Sequence, residues 1–148
     1  MSPKLSKQPI ISLNDLAQVG DERLRESKVL LEAGCYAGAI YVGGYAVECY
    51  LKAAICHRLQ WEKLLGTFKT HDLEALLLYT GLASELEGEI LVDENFRQVV
   101  GMWNDKNGEV AIRYRDPKDM DMKTASTFLD CLLGVPGGLI PWLRKAIS

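Results

Sequence analysis

The sequence is poor in the residues that metal and thiol chemistry would need. It has two histidines, His57 and His71, and four cysteines, Cys35, Cys49, Cys56 and Cys131, with no C-x-x-C pair among them. Cys56-His57 is an adjacent pair, and neighbours on a helix point in different directions, so it makes a poor ligand set. Cys49 and Cys56 are seven apart, which places them on one helix face but too far apart along the axis to bridge. The cysteines therefore read as small buried thiols of a reducing compartment, which makes the cytoplasm the expected location. No metal and no cofactor is expected. Charge of one sign is also lacking, since 17 Lys and Arg face 20 Asp and Glu for a net −3. Such a balance gives no overall attraction to phosphate backbones, so any nucleic-acid contact must be local. Met1 to Ile11 has no long apolar stretch behind its lysines, and no secretory signal is expected. The most apolar segment, Ala37 to Ile55, is broken by Glu48 and Lys52, so it reads as a buried helix rather than a membrane span. Nowhere do apolar residues alternate convincingly at period two, which predicts no sheet.

What is present is helical periodicity. Met1 to Ile11 reads as a flexible lead-in, and residues 12–148 as a single domain. Ser12 offers an N-cap with Asp15 as its capping-box partner, and the stripe Leu13, Leu16/Ala17, Gly20, Leu24, Ser27, Leu31 predicts a helix to about Ala33, stopped by Gly34. A second helix, near Tyr36 to about Leu59, is apolar on most sides and should be central. Gly38, Gly43 and Gly44 in its first half each cost up to ~1 kcal/mol against alanine, so the helix needs close backbone approach to another, in this chain or across a dimer axis. Gln60 to Lys69 reads as a linker containing Trp61 and Phe68, and Thr70 as the N-cap of a third helix with the face Leu73, Leu76, Leu77, Thr80. Gly81 to Val92 reads as a loop or short helical turn. A fourth helix, about Asp93 to Trp103, shows Phe96, Val99, Val100 and Trp103 at i, i+3, i+4, i+7. Asn104 to Asp116 breaks helix, with Asn107-Gly108 as a turn. The last long helix starts at Asp116-Pro117 or nearer Asp121, with Ala125, Phe128, Leu129 and Leu132 inward; a short terminal helix from Pro141 to about Ile147 follows Gly134 to Gly138. The expected architecture is all-α, an antiparallel up-and-down bundle of four to five helices.

Several stretches resemble one family. LLEAGCYAGAIY from Leu30 to Tyr41, GYAVECYLKA from Gly44 to Ala53, THDL from Thr70 to Leu73, then Trp103 and the pair Arg113-Tyr114 occur in the order found in HEPN domains, the "higher eukaryotes and prokaryotes nucleotide-binding" helical proteins. The resemblance covers nearly the whole chain. It implies an all-helical domain, a homodimer, and a nucleotide, RNA or partner protein as ligand. Many members are RNA-cutting toxins with an arginine, a polar residue and a histidine a few residues later, working without metal and assisted by the RNA 2′-hydroxyl. Here Arg115-Asp116 resembles the start of that motif, but Pro117 to Met122 supplies no histidine. General acid–base cleavage thereby lacks its usual group, and the reading leans away from an enzyme. Other members, paired with small nucleotidyltransferases, act as binding partners or as the modified target, a role that needs no histidine.

The candidate ligand-binding residues are Glu48, Lys52, His71, Arg113, Tyr114 and Arg115, and none is assigned as catalytic. Glu48 and Lys52 stand at i, i+4 inside an apolar helix, where each charge needs a partner. Arg113 is the long-range partner expected for Glu48 because guanidinium and carboxylate pair in a fork. The sharper reading makes Glu48, Lys52, Arg113 and Tyr114 a cleft for phosphate or nucleotide; the plainer one makes them a structural pairing of loop and helix. His71, taken as the first helical residue, reads most simply as exposed beside a cap. Tyr36, Tyr41, Tyr45 and Tyr50 could stack bases, but at helical spacing they read as core or dimer interface. Around Arg113, Arg115, Lys118 and Lys106, the acids Asp105, Glu109, Asp116 and Asp119 largely cancel the basic charge, which describes a solvated loop. The resulting expectation is a HEPN-type binding or regulatory module, homodimeric and cytoplasmic, acting on a nucleotide, RNA or a small nucleotidyltransferase in a toxin–antitoxin-like or defence pair. Two alternatives stand beside it: an atypical metal-independent ribonuclease using His71 or Tyr114, and a structural helical dimer without ligand.

Overall fold

The computed structural model describes residues 12–62, 64, 70–104 and 110–148. The expected lead-in 1–11, most of the 60–69 linker with Phe68, and the Asn107-Gly108 turn lie outside the described residues. Among the described residues seven α-helices follow in order: α1 (Leu13–Glu32), α2 (Tyr36–Leu59), α3 (Leu73–Thr80), α4 (Ala83–Glu87), α5 (Ile90–Trp103), α6 (Met122–Leu133) and α7 (Leu139–Ala146). Two 3-10 turns, Ala111–Tyr114 and Pro117–Asp119, bridge α5 and α6. Among the described residues there is no strand; Asn104 and Val110 form an isolated bridge.

Local chemistry sets the helix ends. The Ser12 hydroxyl accepts from the Asp15 amide while the Asp15 carboxylate accepts from the Ser12 amide, a complete capping box. At the other end of α1, Gly34 takes φ +81°, and the amides of Gly34 and Cys35 bond back to the carbonyls of Leu31 and Leu30. That is a Schellman stop, and it turns the chain straight into α2. The third helix starts later than its sequence suggests. Asp72, not Thr70, is its N-cap, accepting from the amides of Glu74 and Ala75, and the Thr70 hydroxyl instead accepts from the Asp72 amide. His71 consequently lies before the helix rather than at its first position. α5 begins at Ile90, three residues ahead of Asp93, because Leu82 to Gly88 closes into α4, the short helical turn that is one of the two expectations there. Asp116 with Pro117 caps only a 3-10 turn, and Asp121 caps α6 through the Thr124 amide. The terminal helix starts at Leu139, with Pro141 in its first turn, where a missing N–H costs nothing.

α2 is the centre of the bundle, packed against α1, α3, α5, α6 and α7. Its pairing with α1 is antiparallel: Ser27 donates to the Ala39 carbonyl at 2.6 Å near the turn, Gly20 abuts Tyr50 further along, and Leu16 meets Ala53 and Cys56 at the far end. α5 and α6 also run antiparallel, with Gln98 beside Cys131 and the Asn95 amide donating to the Gly137 carbonyl at 2.7 Å. The glycines of α2 approach neighbours within this chain. A Cβ on Gly44 would fall 2.0 Å from Trp103 Nε1, and one on Gly43 would meet Phe128 at 3.0 Å. Gly38 meets nothing closer than 3.6 Å. The large side chains of Trp103, Tyr50, Phe128 and Ile40 are buried around these points, each contributing roughly 1.5–3 kcal/mol by leaving water.

Two expectations about single residues change. Cys35 is exposed as the residue before α2 and Cys49 is half-buried, so only Cys56 and Cys131 are the buried thiols expected; all four are free. Tyr50 is core, but its hydroxyl emerges between Asp21 of α1 and Arg144 of α7 and bonds to both. Arg144 also reaches Asp21 at 2.9 Å, which ties the first and last helices to the central one.

Candidate functional site

Along one stripe of α2, at i, i+4, i+7 and i+11, stand Tyr41, Tyr45, Glu48 and Lys52. On a largely apolar helix this line gathers hydroxyl and charge, and three separate segments meet it. The 3-10 turn after α5 brings Arg113, the lead-in to α3 brings His71, and the end of α5 brings Trp103.

Arg113 does not reach Glu48. One of its terminal nitrogens donates to the hydroxyls of Tyr41 and Tyr45, 3.0 Å from each, and its guanidinium lies 5.6 Å from the centre of the Tyr41 ring. The hydroxyls are 2.9 Å apart. Both tyrosines precede Glu48 on the same helix face, so a side chain arriving from the Ala111–Tyr114 turn meets them first. The paired hydroxyls, Tyr41 foremost, push the Arg113 guanidinium further above its ordinary range. Partial burial first, and next the hydrogen bond shared with Tyr41, push the Tyr45 phenol up. The tyrosine pair is an edge-on contact, with ring centres 4.9 Å apart, and Trp103 wedges behind Tyr45 at 5.6 Å while its Nε1 donates to the Tyr41 carbonyl at 3.2 Å.

Glu48 is claimed instead by His71 and Lys52. His71 Nδ1 lies 2.6 Å from Glu48 Oε1, and Lys52 Nζ lies 3.0 Å from Oε2. The side chains of Glu48 and Lys52 are 7% and 11% exposed, against 47% for His71. A buried carboxylate with a hydrogen-bond partner on each oxygen is a satisfied arrangement. It also orients the imidazole: Nδ1 is held by Glu48, and Nε2 is the ring nitrogen left free of that pair. The His71 ring meets Tyr45 edge-on at 5.9 Å, so the two clusters join into one strip running Arg113, Tyr41, Tyr45, His71, Glu48, Lys52.

Of the residues singled out by sequence, four therefore converge: Glu48, Lys52, His71 and Arg113. Tyr114 is 79% exposed and Arg115 is exposed, and neither reaches the strip. Tyr41 and Tyr45, partly buried against the core, form the middle of the strip and line a shallow groove of about 340 Å³ between α1 and α2 with Val19, Arg23, Val42 and Cys49. Their i, i+4 spacing one turn before Glu48 was the available signal. Beside them, Cys49 has its thiol pushed up to about 11, by burial first and by the charge of Glu48 second, which leaves it unreactive near neutral pH. Behind the strip, Asn104 donates to Asp72 at 3.4 Å, holding the α3 cap that places His71. No group of three or more His, Cys, Asp or Glu that could hold a metal ion occurs among the described residues, and no described helix is long and apolar enough to cross a membrane.

No curated protein and no solved structure matches the chain. A family model does, described as the HEPN domain and matched over residues 13–132. That span takes in α1 to α5, nearly all of α6 and every residue of the strip, and leaves α7 outside. On that match, together with an all-helical fold built on a central α2, the chain belongs to the HEPN domain family.

Proposed function

We propose that this chain is a HEPN-type binding module that takes a phosphate-bearing nucleotide or single-stranded RNA at the Tyr41–Tyr45–Arg113 end of the strip, with His71 beside it. The observation that carries the reading is the posture of Arg113. It is exposed, yet one terminal nitrogen is fixed by two tyrosine hydroxyls, which leaves the other face of a planar five-donor fork for a phosphate. The tyrosine rings that line the adjoining groove suit a stacked base. Homodimerisation and pairing with a small nucleotidyltransferase in a toxin–antitoxin-like or defence system belong to the same reading and rest on the family resemblance. Fluorescence anisotropy with labelled single-stranded RNA, competed by nucleotides, tests it. Arg113→Ala should weaken binding about tenfold or more with the melting temperature unchanged. Equal affinity in the variant would remove this site from the reading.

A second reading rests on one specific contact. The Glu48–His71 pair holds an imidazole on the same strip as an exposed arginine, groups that metal-independent cleavage at a 2′-hydroxyl could use. It predicts RNA cleavage in the presence of a chelator, lost in both His71→Gln and Arg113→Ala. Intact RNA after prolonged incubation with the wild type rules it out.

A further inference from the structure

A second surface lies on α3, α4 and α5 and shares no residue with the strip. These helices enclose an apolar groove of about 470 Å³, within the size range of formed binding sites. Leu77, Leu86, Phe96 and Val100 form its buried floor, and Leu78, 69% exposed, forms its lip. Gly101 lines it too, and a Cβ built there meets nothing within 4 Å. The missing side chain at 101 thus helps to keep the groove open.

The rim is acidic. Glu74 and Glu87 stand on it with no ion pair among the described residues, while Asp93 is held 3.4 Å from Arg97. The imbalance extends beyond the rim. From Thr70 to Phe96 there are seven carboxylates and no Lys or Arg, which leaves thirteen carboxylates against all seventeen Lys and Arg elsewhere, a net +4 outside this segment. A polyanion is repelled from such a face. A helix with apolar anchors at i, i+3/i+4 and i+7, flanked by Lys or Arg, meets both its features: the anchors leave water in the groove and the cations face Glu74 and Glu87. We infer that the α3–α4–α5 groove is a docking site for a basic amphipathic helix of a partner protein. The groove is separate from the nucleotide or RNA site proposed above, so one chain can hold both ligands at once.

The probe is a labelled amphipathic peptide of about 15 residues, with Leu at the anchor positions and Lys elsewhere, titrated into the full-length protein and mapped by amide chemical shifts. A control peptide carries Glu in place of every Lys. Expected are shifts clustered at Leu77, Leu78, Phe96 and Gly101, and affinity that falls as ionic strength rises from about 0.05 M to about 0.5 M. Gly101→Leu, which fills the groove, should cost about tenfold in affinity or more without lowering the melting temperature. Leu78→Lys, at an exposed position, should do the same should Gly101→Leu disturb the fold. Arg113→Ala should leave peptide affinity within about twofold, so loss of the RNA reading would not touch this one. The proposal is overturned by absence of peptide binding up to about 1 mM, by equal binding of the Glu peptide, or by affinity indifferent to both groove variants. It is equally overturned if sedimentation shows a homodimer that those two variants dissociate, since a second copy would then be the occupant.

Discussion

Trp103 Nε1 sits where a Cβ on Gly44 would be, 2.0 Å away, and from that position it donates to the Tyr41 carbonyl. The absence of one side chain in the middle of α2 thus lets an indole pass close to the helix backbone and support the tyrosine pair from behind. Gly44→Ala should destabilise the protein by about 3 kcal/mol, the upper part of the overpacking range, because Trp103 is fully buried and has nowhere to retreat. Gly101→Ala, on the open surface of α5, should move stability the other way by about 0.5–1 kcal/mol. Urea midpoints of the two variants check the contrast; a neutral Gly44→Ala would refute the close approach.

Glu48 and Lys52 should be costly to break and cheap to remove together. Glu48→Ala leaves Lys52 buried without its carboxylate and should cost about 3–5 kcal/mol, whereas Glu48→Leu with Lys52→Met should fall within about 1–2 kcal/mol of the wild type. Denaturant unfolding of the single and double variants measures the difference. The double variant also frees His71, so it separates the role of the pair in stability from any role in ligand binding.

The tyrosine pair should matter for binding more than for folding. Tyr41→Phe with Tyr45→Phe keeps both rings and removes the two oxygens that fix Arg113. Thermal melting should shift little, while RNA or nucleotide affinity should fall about three- to tenfold as the guanidinium loses its set orientation. A melting curve beside a binding isotherm on the same samples distinguishes the two effects.

Tyr50 links pH to the α1–α2–α7 clasp. Burial, and next the hydrogen bond to Asp21, push its phenol up; its stabilisation is therefore present below the ordinary value of 10 and is lost as pH rises through the higher folded value. Burial pushes the Asp21 carboxyl up, but hydrogen bonds from Tyr50 and Arg144 outweigh it and hold the group low, so its contribution is present above the ordinary 3.8 and is lost as pH falls through the lower folded value. Asp21 is largely exposed, and its share is small. Tyr50→Phe should cost about 1 kcal/mol at neutral pH and flatten the alkaline limb of the stability curve more than the acid one. Melting temperatures across pH 3 to about 11 test both limbs.

Thiol labelling should report the fold directly. Near pH 8 Cys35 should react first and Cys49 slowly, because a thiol pushed up to about 11 holds little thiolate there. Cys56 and Cys131, buried and pushed up by that burial, should react only as the protein unfolds. A reversed order for Cys35 and Cys49 would contradict the environment of the strip.

Much of this molecule was legible in one dimension because its determinants are local. The capping box at Ser12, the Gly34 stop, and the inward faces of α3, α5 and α6 are short-range patterns of periodicity and hydrogen bonding, and they appear where the residues placed them. Glu48 and Lys52 were visible as charges that an apolar helix must satisfy. Long-range choices were not visible. Glu48 takes His71, 23 positions away, rather than Arg113, because Tyr41 and Tyr45 intercept the guanidinium and the Asp72 cap sets His71 against the carboxylate. Local propensity and spacing decide which segments are helices and where they end. Which polar side chain each buried charge meets, and which glycine opens the path for Trp103, is decided only when the helices pack, because those contacts join residues that nothing in the chain's local order brings together.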